Sequence, residues 1–154
     1  MATLKQKGDL AELKVAADLV AQGYRILLPF GEDHSYDLAI DDGGRLLRVQ
    51  VKHTRSDGRV VVTKCFTHSL TNGKVRATTR YTSEHIDWLV VWDATTDRCV
   101  YIPAAMLGTG RSSLYFRYTE TLNNQRRRIR WVDDHRNLAT AAATIGLDFR
   151  VTGP

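Results

Sequence analysis

Apolar residues along this chain follow the rhythm of one helix and then of several strands. From about Gly8 to Gln22 they recur at helical spacing. At about 100° per residue, Leu10, Leu13, Ala16, Ala17, Leu19 and Val20 form one face, and Gly23 is a natural C-terminal stop. The residues before Gly8 read as a polar lead. Glu12 falls at the edge of the apolar face beside Ala16 and Leu19, whereas Lys14, Asp18 and Gln22 project to the other side. A carboxylate at that edge either reaches solvent or a nearby cation, or serves chemistry.

Past Gly23 the period falls to two. Tyr24 to Leu28 reads as a strand stopped by Pro29, and residues 30–35 as a polar loop. Two apolar runs then flank Asp41-Asp42-Gly43-Gly44, a strong hairpin turn signal. A symmetric hairpin centred between Gly43 and Gly44 places Asp37 opposite Gln50, with facing Cβ atoms roughly 4.5–5.5 Å apart. Arg48, Gln50 and Lys52 then share one face, while Leu47, Val49 and Val51 point to the core.

The stretch His53 to Gly58 turns the chain, and Arg59 to Cys65 is a further strand that the Asp57-Gly58 turn predicts to be an antiparallel neighbour. Residues 66–81 show no clear period and read as a loop. The apolar run from Asp87 to Asp93 predicts a strand buried on both faces and central to a sheet. Arg98 to Pro103 predicts another, followed by a helical turn at Ala104 to Leu107. The tail adds a strand at Ser113 to Tyr118, a basic run from Arg126 to Trp131 and an Ala-rich amphipathic helix from about Asn137 to Ile145. The expectation is an α/β fold with a mixed β-sheet flanked by helices, in a single domain spanning residues 1–154.

Composition narrows the function classes. A chain of 154 residues with 43% hydrophobic content supports one well-packed domain. The 22 Lys and Arg against 17 Asp and Glu give a formal charge of +5, which suits a polyanionic partner without requiring one. Cys65 and Cys99 are far apart in sequence, and His34, His53, His68, His85 and His135 show no ligand spacing, so neither a zinc site nor a disulfide framework is indicated. Both cysteines read as buried free thiols. No apolar run approaches the roughly 20 residues that cross a bilayer, and the N-terminus has no apolar signal core, so an intracellular protein with no membrane partner is expected.

Glu12 on the first helix, Asp37 at the end of Ser35-Tyr36-Asp37, and Gln50-Val51-Lys52 resemble, in order and spacing, the core of the PD-(D/E)XK nuclease superfamily. Tyr36 stands where that name has Pro, and Gln50 stands where it has an acid. The Gln-X-Lys form resembles the small group I intron-encoded homing endonucleases of cyanobacteria, as do Lys7-Gly8-Asp9-Leu10-Ala11-Glu12 and the stretch from Tyr81 to Trp88. The similar segments cover about the first two thirds of the chain.

The resemblance implies a restriction-endonuclease-like fold and Mg²⁺-dependent hydrolysis of phosphodiester bonds in double-stranded DNA, with Mn²⁺ able to substitute. Asp37 is then the principal carboxylate ligand, Gln50 adds its amide oxygen and Val51 its backbone carbonyl. Lys52 orients the attacking water or stabilises the phosphorane, and Glu12 binds a metal-held water or anchors Lys52. Arg55, Lys64, Lys74, Arg76 and Arg80 are candidates to line a DNA groove, and Arg126, Arg127, Arg128 and Arg130 to form a phosphate-contacting strip, so residues 66–81 and 108–131 are the candidate DNA-contacting segments. A double-strand break needs at least a homodimer, and the resembled group assembles as a tetramer. The expected setting is cytoplasmic, in a prokaryotic or phage context. Two alternatives stand beside homing: a structure-selective nuclease similar to Holliday junction resolvases, and a DNA-binding relative that has lost its metal.

Overall fold

The computed structural model describes residues 1–147. Its elements in chain order are α1 (Leu4–Ala21), β1 (Arg25–Leu27), β2 (Leu38–Asp41), β3 (Leu46–Thr54), β4 (Val60–Lys64), β5 (Phe66–Thr71), β6 (Lys74–Arg80), β7 (Trp88–Asp93), β8 (Arg98–Pro103), β9 (Ser113–Arg117) and α2 (Leu138–Ala143). Short 3-10 turns cover Ala104–Leu107 and Val132–His135.

Helix α1 starts at Leu4, earlier than the expected Gly8, because Thr3 and Gln6 form a capping box: the Gln6 amide donates to the Thr3 hydroxyl at 3.2 Å, and the Thr3 amide donates to Gln6 Oε1 at 2.9 Å. Its buried stripe is Ala11, Val15 and Leu19, spaced four apart, and it packs on the sheet. The expected apolar face is corrected here, since Leu10, Leu13 and Val20 are exposed. Small and β-branched side chains let the helix lie close to the strands.

A five-stranded sheet of order β1-β2-β3-β7-β8 forms the centre, with β3 and β7 parallel and the other pairs antiparallel. The β2–β3 register joins Leu38 to Val49 and Ile40 to Leu47, as a turn centred between Gly43 and Gly44 requires. All six residues of β7 are buried, and it lies between β3 and β8. One sheet face carries Leu38, Ile40, Val49, Trp88, Val90 and Tyr101 against α1 and α2. The other buries Leu89, Val91, Val100 and Ile102 beneath Val61, Leu114 and Phe116 of β4 and β9. Each fully buried aliphatic or aromatic side chain contributes about 1.5–3 kcal/mol.

Two further expectations change. Strand β4 pairs with β9, not with β3. The turn between β3 and β4 carries the chain off the sheet, and the Thr54 hydroxyl donates to the Val62 carbonyl at 2.9 Å across the opening. Residues 66–81 are not a loop: β5 and β6 form a two-stranded ribbon closed by Asn72-Gly73, both at positive φ (52° and 75°), and every residue from Thr67 to Arg80 is exposed. Within 108–131, β9 is structural, with Leu114 and Phe116 buried, and residues 122–128 are exposed. Cys65 is buried and Cys99 half-buried, both as free thiols.

Asp93, fully buried at the end of β7, ties these layers together. Its carboxylate accepts from the Ser56 amide (2.9 Å) and hydroxyl (2.6 Å), the Thr95 amide (3.1 Å), and the hydroxyls of Thr96 and Tyr118 (2.8 Å each). Burial alone would raise its pKa, but the Ser56, Thr96 and Tyr118 bonds hold it below the usual carboxylate value. A depressed pKa contributes stability above the ordinary value that is lost as pH falls through the folded one. Asp93→Ala is expected to cost about 3 kcal/mol, read from the urea midpoint at neutral pH, and an unchanged midpoint would count against the hub.

Candidate active site

The site lies where β2 ends before its partner does. Strand β2 begins at Leu38, whereas β3 runs on to Thr54, so beyond Val49 the β2-facing edge of β3 has no strand to pair with. Asp37 fills that gap. Its amide donates to the Val49 carbonyl at 2.8 Å, and its carboxylate accepts the Val51 amide at 2.8 Å. Continuing the register by one residue sets Asp37 against Gln50. The N–H and C=O of one residue point to the same strand edge, so the Val51 carbonyl faces the same gap; the Gln50 side-chain amide donates to it at 3.3 Å.

Glu12 on α1 lines the same cleft as Asp37 and lies close enough for each carboxyl to feel the other's charge. Burial first, then repulsion from Asp37 and Asp9, pushes the Glu12 pKa up to about 7. Burial also raises Asp37, against the opposing pull of the Val51 amide and of Lys52. Both carboxylates open onto a cleft of about 340 Å³ whose other wall is the loop from Leu28 to Tyr36. Lys52 takes a different direction. Its ammonium donates to the Phe66 carbonyl at 3.1 Å and lies 5.2 Å from the centre of the Tyr81 ring. Burial holds its pKa below the ordinary lysine value, partly countered by Asp37. Among the described residues no carboxylate lies within ion-pairing distance of it.

Glu12, Asp37, Gln50, Val51 and Lys52 are therefore brought to one end of β2 and β3. The basic candidates are not. Arg55 is exposed just past β3, and Lys64 is exposed at the end of β4. Lys74 and Arg76 stand on the exposed ribbon, with Arg76 at the register shift of β6. Arg80 pairs with Phe66 at the ribbon's base, where its side chain lies against Gly110. Arg126, Arg127 and Arg128 are exposed beyond β9, with Arg126 at 3.9 Å from Glu120. Tyr81 carries no motif of its own in the sequence; its one signal is an aromatic placed directly after a ribbon whose turn is Asn72-Gly73.

The oxygens facing the β2–β3 gap are the Asp37 carboxylate, the Val51 carbonyl and the Glu12 carboxyl, and the Gln50 amide, which here turns its nitrogen to the Val51 carbonyl, offers its oxygen only if it rotates. Among the described residues no group of three or more His, Cys, Asp or Glu side chains could hold a metal ion. The set therefore fits a hard divalent cation only with the amide and the backbone included. The upward shift of the Glu12 carboxyl beside Asp37 marks the charge crowding that a cation would relieve.

The Glu12 pKa gives a sign to stability. A carboxyl raised in the folded state contributes stability that is fully present below its ordinary value of 4.5 and lost as pH rises toward about 7. In chelator, thermal unfolding of the protein should show melting temperature falling across that interval, and Glu12→Gln should remove the slope; parallel curves would refute the raised Glu12 pKa.

Comparison with known proteins agrees with this architecture. The PD-(D/E)XK endonuclease family profile matches residues 2–138. A solved bacterial homing endonuclease, I-Ssp6803I, superposes with a TM-score of 0.67 at 25% identity, covering 88% of this chain and 89% of that one. A Holliday junction resolvase, Hjc of the archaeal hyperthermophile Archaeoglobus fulgidus, superposes with a TM-score of 0.44 at 12% identity over 72% of this chain and 84% of that one. The comparison with curated proteins finds no match. No helix among the described residues is long and apolar enough to cross a membrane. The mixed sheet with flanking helices is the restriction-endonuclease-like fold, and the matched family is one of phosphodiester hydrolases acting on DNA, typically with a divalent metal. With the profile spanning nearly all of the described residues, this chain belongs to the PD-(D/E)XK endonuclease family.

Proposed function

We propose that the protein is a Mg²⁺-dependent, sequence-specific double-strand DNA endonuclease of the homing type. The observation that carries this reading is the gap beyond β2, where Asp37, Gln50 and the Val51 carbonyl converge with Glu12 on one side and Lys52 on the other. Similarity to I-Ssp6803I favours homing. So does the exposed β5–β6 ribbon, because a two-stranded β-ribbon fits the major groove, where base edges are distinguishable.

Asp37, Gln50 and Val51 would hold the cation, which supplies the charge that polarises the scissile phosphate. Asp37 is already oriented by the Val51 amide, so little ordering remains to be done on binding. Lys52 places a positive charge beside the position where negative charge develops at phosphorus. Glu12, once its proton is lost, adds a second carboxylate that can accept a hydrogen bond from the attacking water. Arg55, Lys64, Lys74, Arg76 and Arg80 would follow the groove, and Arg126, Arg127 and Arg128 the phosphates. One site cuts one strand, so two copies are the minimum, and a tetramer suits a long target.

Incubation with Mg²⁺ and either random-sequence duplex libraries or four-way junctions tests the reading. Discrete cuts at one duplex sequence are expected, with Lys52→Ala lowering the rate about 10²–10⁴-fold. Junction-only cleavage would replace homing by resolution, and bound but intact DNA in both would make the protein a binding relative.

Gln50 is neutral, so the free site carries one negative charge less than an acidic version and should bind Mg²⁺ weakly until DNA phosphate adds its own. Calorimetric titration should show Mg²⁺ binding tighten when duplex is present, and Gln50→Glu should tighten binding to the free protein by about tenfold. Tight binding by the unmodified free protein would refute the substrate-assisted site.

A further inference from the structure

The ribbon and Lys52 meet at one point. Strand β5 leaves the body at Phe66 and β6 returns at Tyr81, where the Tyr81 amide donates to the Cys65 carbonyl at 2.9 Å. Tyr81 is 3% exposed, although every residue of the ribbon from Thr67 to Arg80 is exposed. Tyr81 therefore closes the base of the ribbon, where its amide joins the end of β6 to Cys65 just before β5. Its ring also faces the Lys52 ammonium at 5.2 Å, and the Phe66 carbonyl accepts from that ammonium at 3.1 Å. A cation over an aromatic face in a desolvated position is attracted by the ring quadrupole.

We propose that Tyr81 is a positioning residue for Lys52: its ring, with the Phe66 carbonyl, holds the ammonium at the base of the β5–β6 ribbon, so that ribbon and ammonium are seated together. The inference rests on the nuclease reading for what Lys52 does, but not for where Lys52 is held. A Lys has four rotatable carbon–carbon bonds and many rotamers. With no carboxylate in ion-pairing distance among the described residues, the ring and the carbonyl are what limit its sweep. Phenylalanine keeps the ring face and should substitute, whereas an aliphatic residue of similar bulk should not.

The test compares Tyr81→Phe and Tyr81→Leu, alone and combined with Lys52→Ala, using Tyr81→Met if the Leu variant does not fold. With Mg²⁺ and a cleaved duplex, Tyr81→Phe is expected to stay within about twofold of the unmodified protein. Tyr81→Leu should lower kcat about tenfold with KM unchanged, and should cost nothing further once Lys52 is Ala. An equal loss in the Lys52→Ala background, a loss carried in KM, or failure of Tyr81→Phe would overturn the proposal. Carbon–proton NMR of the Lys52 ε-methylene reads the placement without cleavage: the upfield ring-current shift should persist in Tyr81→Phe and vanish in Tyr81→Leu. Persistence in the Leu variant would overturn the inference. Absence of any cleavage by the unmodified protein, with the ring-current pattern intact, would sink the nuclease reading and leave the placement standing.

Discussion

Where β2 gives out and β3 continues, the amide of Val51 has no strand to pair with, and the carboxylate of Asp37 takes that place at 2.8 Å. A buried amide left without a partner costs about 1–3 kcal/mol, so the end of the sheet needs an acceptor there. The acceptor that satisfies this need is also the charged group around which the site is assembled. It fixes which way Asp37 points, it leaves the neighbouring Val51 carbonyl facing the same gap, and it brings a half-buried carboxylate near Glu12, whose pKa rises in response. Fold and chemistry thus share one hydrogen bond.

The rest of the architecture keeps that bond in place. Helix α1 can carry Glu12 to the strand end only because its buried stripe is slim, Ala11, Val15 and Leu19, and lets the helix settle on β3 and β7. On the opposite face, β4 and β9 bury the outer side of β7 and β8, and the ribbon grows out from the junction between them. Asp93 holds the β3–β4 turn and Tyr118 to the end of β7, which sets where the chain can leave the sheet. Lys52 points toward the base of the ribbon, with Asp37 still its main charged neighbour.

Much of this was legible from residue order. The Gly43-Gly44 turn and the alternation of Leu47, Val49 and Val51 specify the β2–β3 register, because a one-residue slip would turn every core side chain outward. The unbroken apolar run from Trp88 to Trp92 announces a strand covered on both faces. Glu12 could be seen at the inward edge of its helix. The ribbon leaves no periodic trace beyond the Asn72-Gly73 turn, because a two-stranded element with both faces in water imposes no alternation on its side chains. The larger residues Leu10, Leu13 and Val20 drew the helix face to the wrong side, since size alone does not say which stripe a sheet will accept.

What the sequence by itself determined was therefore local: turns, alternation, the strand that must be buried, and the order of Glu12, Asp37, Gln50 and Lys52. Those are properties of neighbouring residues, where sterics and burial leave a periodic trace. Only the tertiary structure decided that burial and Asp37 raise the Glu12 pKa, that β4 pairs with β9, and that Lys52 rests on the Phe66 carbonyl beneath the Tyr81 ring. Each of these joins segments well separated along the chain. Their energies come from burial and field at the meeting point, and neither exists until the sheet has closed.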